Sequence, residues 1–114
     1  MRWAYGVTTV PSRRGHLLPQ TLQSLVAAGF DRPHLFVDGT ADGFAYTGYD
    51  VTLRRPAVMV RSSWVLAMLE LFLREPSAQL YAVFQDDLVM CRGVRRYVER
   101  TVQKDAYYNL HTFP

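Results

Sequence analysis

Four short runs rich in β-branched and aromatic residues alternate with runs of helical period, and this alternation constrains the fold more than any other feature of the chain. The runs are "RWAYGVTTV", "HLFVDG", "YDVTLRRP" and "LYAVFQ". The first stops at Pro11, which lacks the N–H that a central strand needs, and the third is ended by Pro56. From about Leu17 to Ala28 the apolar positions Leu18, Leu22, Leu25 and Val26 recur at helical spacing, with Pro19 in the first turn and Gly29 where a C-terminal cap belongs. Ser62 or Ser63 is placed to cap a second helix over Trp64–Glu75, stopped by Pro76. That helix is apolar on nearly every side, so the sequence predicts packing on more than one face. Val94, Tyr97, Val98 and Thr101 mark one face of a short last helix. "TADGFAYTG" reads as loop, and "DAYYNLHTFP" has no readable period.

Strands alternating with helices predict an α/β domain with a mostly parallel sheet, one domain over residues 1–114. Short right-handed connections leave few topologies for four such strands. If the second and third strands stack outward on one side of the first and the fourth joins the other side, the order is 3-2-1-4. Its switch point then lies between the first and fourth strands, and ligands of open α/β sheets bind outside the carboxyl ends of the strands there. "TTVPSRR" and "QDD" are the segments expected at that crevice, with Asp38 beside them at the end of the second strand.

Asp86 and Asp87 follow directly on the apolar run "LYAVF" and Gln85. Two adjacent carboxylates at the end of a buried strand repel each other, and burying them is costly unless a positive group compensates. Either water and a nearby Arg92 or Arg95 solvate the pair, or a cation bridges it to a ligand. A hard cation such as Mg2+ or Mn2+ suits one or two carboxylates plus the phosphates of a nucleotide, to which Arg13 or Arg14 can add charge-assisted contacts.

A hydrophobic fraction of 49% with 20% charged residues is that of a soluble globular protein, not a disordered one. The net charge is +3, carried mostly by scattered arginines, which suits an anionic small ligand better than a nucleic-acid track. Cys91 is the single cysteine, so no intrachain disulfide or cysteine-based zinc site forms, and a cytoplasmic location is expected. No signal-peptide stretch and no membrane span is expected, because the longest apolar run, "WVLAMLELFL", is interrupted by Glu70 and too short. His16, His34 and His111 are dispersed and read as surface or packing residues, and Tyr107-Tyr108 reads as tail packing before a stacking platform.

"YGVTTVPSR", "LFVDG" and "VFQDDLVM", in this order, resemble the nucleotide-binding half of a GT-A-type glycosyltransferase, which moves a sugar from a nucleotide-diphosphate donor to an acceptor. The resemblance implies a three-layer α/β/α, Rossmann-like fold of which this chain is the N-terminal, donor-binding part. "VFQDDLVM" is similar to the family's short acidic DXD motif, with Gln85 where an acidic residue is usual, so weaker metal affinity is expected. Carried over, Asp87 is the direct ligand of Mn2+ or Mg2+, and Asp86 contacts ribose or metal-bound water. Thr8, Thr9, Val10, Pro11 and Arg13 line the pocket for base and diphosphate, and Asp38 holds base or ribose. The implied activity is transfer from a nucleotide-diphosphate sugar, a uridine-diphosphate sugar favoured, to an acceptor the sequence does not name. The alternatives are a nucleotide-binding module without turnover and, ranked last, a phosphoacceptor domain, whose acidic pair belongs after the first strand. The fourth strand forms an edge in the order 3-2-1-4, so self-association through it, or pairing with a second polypeptide, is expected.

Overall fold

The computed structural model places strands at Trp3–Thr9 (β1), His34–Asp38 (β2), Val51–Arg54 (β3) and Leu80–Gln85 (β4), and helices at Leu17–Ala28 (α1), Met59–Arg74 (α2) and Val94–Thr101 (α3). It describes residues 1–39, 41–103 and 105–108; His111 and the rest of the tail from residue 109 lie outside the described residues. The four strands form one parallel sheet in the order β3-β2-β1-β4. β1 is the central ribbon, pairing Thr8 with Phe36 on one side and with Gln85 on the other. That register brings the carboxyl ends of β1 and β4 level, so the segments that follow them emerge side by side.

Because growth of the sheet reverses direction after β3, right-handed crossovers place α1 and α2 on opposite faces. The side chains of β1 follow suit. Tyr5 and Val7 join the core under α1, with Leu18, Leu25, Phe30, Leu35, Val37 and Phe84, and Val94 of α3 packs on the same side. Ala4 faces α2, where Phe36, Ala67 and Leu71 form a smaller core. Gly6 is required on that second face, because a Cβ there would lie 2.7 Å from the His34 carbonyl oxygen and collide with the Phe36 ring. Leu25, Leu35, Phe36 and Val37 are fully buried, each worth about 1.5–3 kcal/mol relative to exposure.

α1 has the predicted limits, and Gly29 ends it in the left-handed conformation (φ 109°) that a residue without Cβ adopts at no steric cost. α2 differs from expectation at both its start and its faces. It begins at Met59, five residues ahead of Trp64, and no serine caps it. Ser63 is instead buried inside the helix with its hydroxyl unpartnered. Only Ser63, Ala67 and Leu71 of α2 are buried, and Val65, Leu69, Phe72 and Leu73 are exposed. One stripe packs on the sheet, and the remaining apolar side chains face outward. β4 likewise buries only Phe84 and pairs with β1 alone among the described residues. The loop between β2 and β3 carries a 3-10 turn, Gly43–Tyr46. Among the described residues no helix is long and apolar enough to cross a membrane.

Candidate functional site

At the carboxyl end of β1 the chain turns through Val10 into a 3-10 turn over Pro11–Arg13. Proline suits the first position of that turn, since its missing N–H has no partner to lose. The turn carries Arg13 back over the sheet edge to the segment after β4. There Arg13 Nη1 donates to Asp86 Oδ1 at 2.8 Å and lies 3.9 Å from Asp87 Oδ2. The hydroxyl of Thr9, the last residue of β1, donates to the other oxygen, Asp86 Oδ2, at 2.7 Å. Asp86 is thus a buried carboxylate with both oxygens engaged. Hydrogen bonding to Asp86, and then its charge, make the Arg13 guanidinium even harder to deprotonate than usual.

The two aspartates therefore have different characters. The Asp86 side chain is 4% exposed, whereas that of Asp87 is 48% exposed and has the more distant Arg13 contact. Asp86 ties the segments after β1 and β4 together, and Asp87 is turned toward solvent. The compensating charge comes from Arg13, 73 positions earlier in the chain. Arg95 is turned elsewhere, to Glu99 and to the Gly29 carbonyl. Arg14 lines a separate hollow of about 380 Å³ between α1 and the 43–49 segment, with Leu18, Leu22 and Tyr46, and no carboxylate lines it.

α1 fixes the segment after β4 from below. Thr21 Oγ1 lies 2.7 Å from the carbonyl oxygens of both Asp86 and Leu88. Ser24 Oγ accepts the Met90 N–H at 3.0 Å. Sequence reasoning did not single out either residue. The signal was present, because Thr21 is a polar residue between Leu18 and Leu25 on the buried stripe of α1, a place that calls for a hydrogen-bond partner.

Asp38 lies at the end of β2, where expected, but its carboxylate is turned to the start of α2. Oδ1 accepts the Val58 N–H at 2.7 Å and Oδ2 the Met59 N–H at 2.9 Å. It satisfies two backbone donors that the helix itself leaves open and places negative charge at the positive end of the helix dipole. Met59 holds a left-handed backbone (φ 72°), unfavourable for a residue with a side chain, and the bond to Asp38 steadies it. Asp38 is thereby a non-local cap, with its oxygens directed at the helix. The Thr8 hydroxyl reaches the Phe84 carbonyl at 3.4 Å, linking β1 to β4. Tyr108 accepts the Gln103 N–H through its hydroxyl, and Tyr107 is exposed.

Among the described residues no three His, Cys, Asp or Glu side chains gather as a metal-holding group. The donor set at the carboxyl ends of β1 and β4 is one exposed carboxylate, Asp87, backed by the engaged Asp86. That set fits a Mg2+ or Mn2+ ion that takes one carboxylate from protein and the rest of its oxygens from water and phosphate, and does not fit an all-protein cage. A separate polar cluster on the α2 face joins His34, Thr52 and Glu70: Thr52 Oγ1 is 2.7 Å from His34 Nε2 and donates to Glu70 Oε2 at 2.5 Å. Burial, and then the charge of Arg74, lower the His34 pKa. Burial alone would raise the Glu70 pKa, but hydrogen bonds from Thr52 and Arg74 leave it lowered. The His34 ring lies tilted against Phe36, with ring centroids 4.5 Å apart and planes 37° apart, a packing contact. Set against family models, curated proteins and solved structures, the chain matches none of them.

Proposed function

We propose that the crevice between β1 and β4 binds the nucleotide diphosphate of a sugar donor and that the chain is the donor-binding part of a glycosyltransferase of the GT-A type. The observation that carries this reading is the convergence of Arg13 with Asp86 and Asp87 at the switch point of the sheet. A guanidinium beside an exposed carboxylate, at the place where open α/β sheets bind ligands, suits a diphosphate held by a cation on one side and an arginine on the other. In this reading Asp87 holds the cation, Arg13 meets the diphosphate oxygens, and Thr9 with Asp86 keeps both segments in register. Thr8, Val10 and Pro11 form the wall toward the nucleoside. The cation, when bound, neutralises charge that develops on the leaving diphosphate. Asp38 acts mainly through α2, and any contact it makes with the nucleoside is additional to its cap.

A variant of this reading, in which the chain binds donor nucleotide but transfers sugar only together with a second polypeptide, is favoured by β4, which among the described residues pairs on one side only. Beside that edge lies a groove of about 350 Å³ lined by Trp64, Val65, Met68, Leu69, Phe72 and Tyr81. A strand edge next to an apolar groove suits a further strand and its flanking side chains. Titration of the chain with uridine, guanosine, cytidine and thymidine diphosphates, with and without Mn2+, tests the donor site. Binding of one of them that Mn2+ strengthens supports it, and binding of none removes it. Donor hydrolysis or transfer by the chain alone then separates the complete enzyme from the binding unit.

A further inference from the structure

Arg13 stands where a cation shared by the two aspartates would stand. Its Nη1 serves both carboxylates, closely at Asp86 and more loosely at Asp87. Asp86 does not depend on Arg13 alone, because Thr9 holds its other oxygen. The arginine side chain is 41% exposed, so it has room to move. A guanidinium has five N–H donors, and its planar fork matches a diphosphate better than two carboxylates that belong to neighbouring residues.

We infer that Arg13 is a displaceable counter-ion that couples cation binding to nucleotide binding. In the free chain it neutralises the acidic pair and keeps the affinity for a free divalent cation low. When cation and nucleotide diphosphate arrive together, Arg13 leaves the carboxylates for the diphosphate, and Asp87 is released to the cation. The inference rests on the donor-site reading above and adds to it an order of affinities. Each ligand then raises the affinity for the other by the same factor, as linkage requires. A divalent ion beside Asp87 would lie within a few ångströms of the guanidinium, and like-charge repulsion at that range is worth on the order of tenfold in affinity even at the dielectric of bulk water.

The test uses the full chain and Mn2+ alone, followed by electron paramagnetic resonance of the free ion, and then repeats the titration with saturating uridine diphosphate. Arg13→Gln keeps a hydrogen-bond donor for Asp86 but removes the charge, and Arg13→Lys keeps the charge. Mn2+ alone should bind Arg13→Gln about tenfold more tightly than the parent, while Arg13→Lys should resemble the parent. Uridine diphosphate should strengthen Mn2+ binding to the parent and do so less in Arg13→Gln. Unchanged or weaker binding of Mn2+ alone by folded Arg13→Gln would overturn the inference, as would an equal gain in Arg13→Lys. If Arg13→Gln does not fold, the Arg13→Lys comparison decides, since a gain there cannot come from lost charge and unchanged affinity with retained nucleotide coupling is the expected result. Failure of the parent to bind any nucleoside diphosphate strikes the donor-site reading instead, and the titrations with Mn2+ alone still decide the role of Arg13.

Discussion

Replacing Asp38 with alanine removes both acceptors from the start of α2. The carboxylate is buried and takes the N–H groups of Val58 and Met59 at 2.7 and 2.9 Å. Loss of a helix cap costs about 1–2 kcal/mol, and hydrogen bonds to a charged group are worth about 1.5–3 kcal/mol each where water cannot replace them. Met59 is largely exposed, so water takes over part of its bond. The expected net loss is therefore about 2–3 kcal/mol, or roughly 8–15 °C in melting temperature for a domain of this size. Asp38→Asn keeps one good acceptor and should lose about half as much. Thermal unfolding followed by circular dichroism, with no nucleotide present, measures both. An Asp38→Ala melting temperature equal to that of the parent would refute the capping role and return Asp38 to a ligand contact. Uridine diphosphate binding by folded Asp38→Asn then shows whether a nucleoside contact exists beside the cap.

Gly6→Ala should destabilise the fold severely, by about 2–4 kcal/mol, because the new Cβ meets the His34 carbonyl and the Phe36 ring with no room to give; denaturant unfolding equal to the parent would contradict the packing described. Stability should fall on acidification from the region of about pH 6.5, the ordinary imidazole value, because the folded state holds His34 neutral and the unfolded chain takes up the proton first. Glu70, also lowered, adds to the loss at more acid pH. His34→Gln should flatten the first part of that slope, and a parent melting temperature constant between about pH 7.5 and 5.5 would count against it. Sedimentation at tens of micromolar should show association that Phe72→Glu weakens, since Phe72 lines the groove beside the β4 edge; a parent that is monomeric there would show that the edge needs no cover.

The strands, α1 with its Gly29 cap and the sheet order were legible because local signals agreed with one another: period, turn residues and proline stops pointed to the same elements. α3 forms where expected, but of the face marked by Val94, Tyr97, Val98 and Thr101 only Val94 and Val98 pack inward, and Tyr97 and Thr101 are exposed. The start of α2 was not legible, since its cap comes from Asp38, 20 and 21 positions before the amides it holds. A serine inside the helix offered a local alternative, and the fold buried it instead. The faces of α2 misled for a related reason. Composition records that Val65, Leu69, Phe72 and Leu73 are apolar but not whether anything covers them. At the site, the acidic pair and its place at the switch point were visible in the sequence, and the division of labour within it was not. It depends on Arg13 and Thr9 reaching Asp86 across the sheet, and only the register of β1 with β4 brings them there.

Paramagnetic broadening of backbone amide resonances by Mn2+ in the presence of uridine diphosphate tests the central claim most directly, because it locates the bound ion without requiring turnover. The account predicts that broadening centres on Asp87 and its neighbours Asp86 and Leu88, extends to residues 9–13 across the crevice, spares the α2 groove around Phe72, and disappears in Asp87→Asn. Broadening centred on His34 and Glu70, or unchanged in Asp87→Asn, would contradict it.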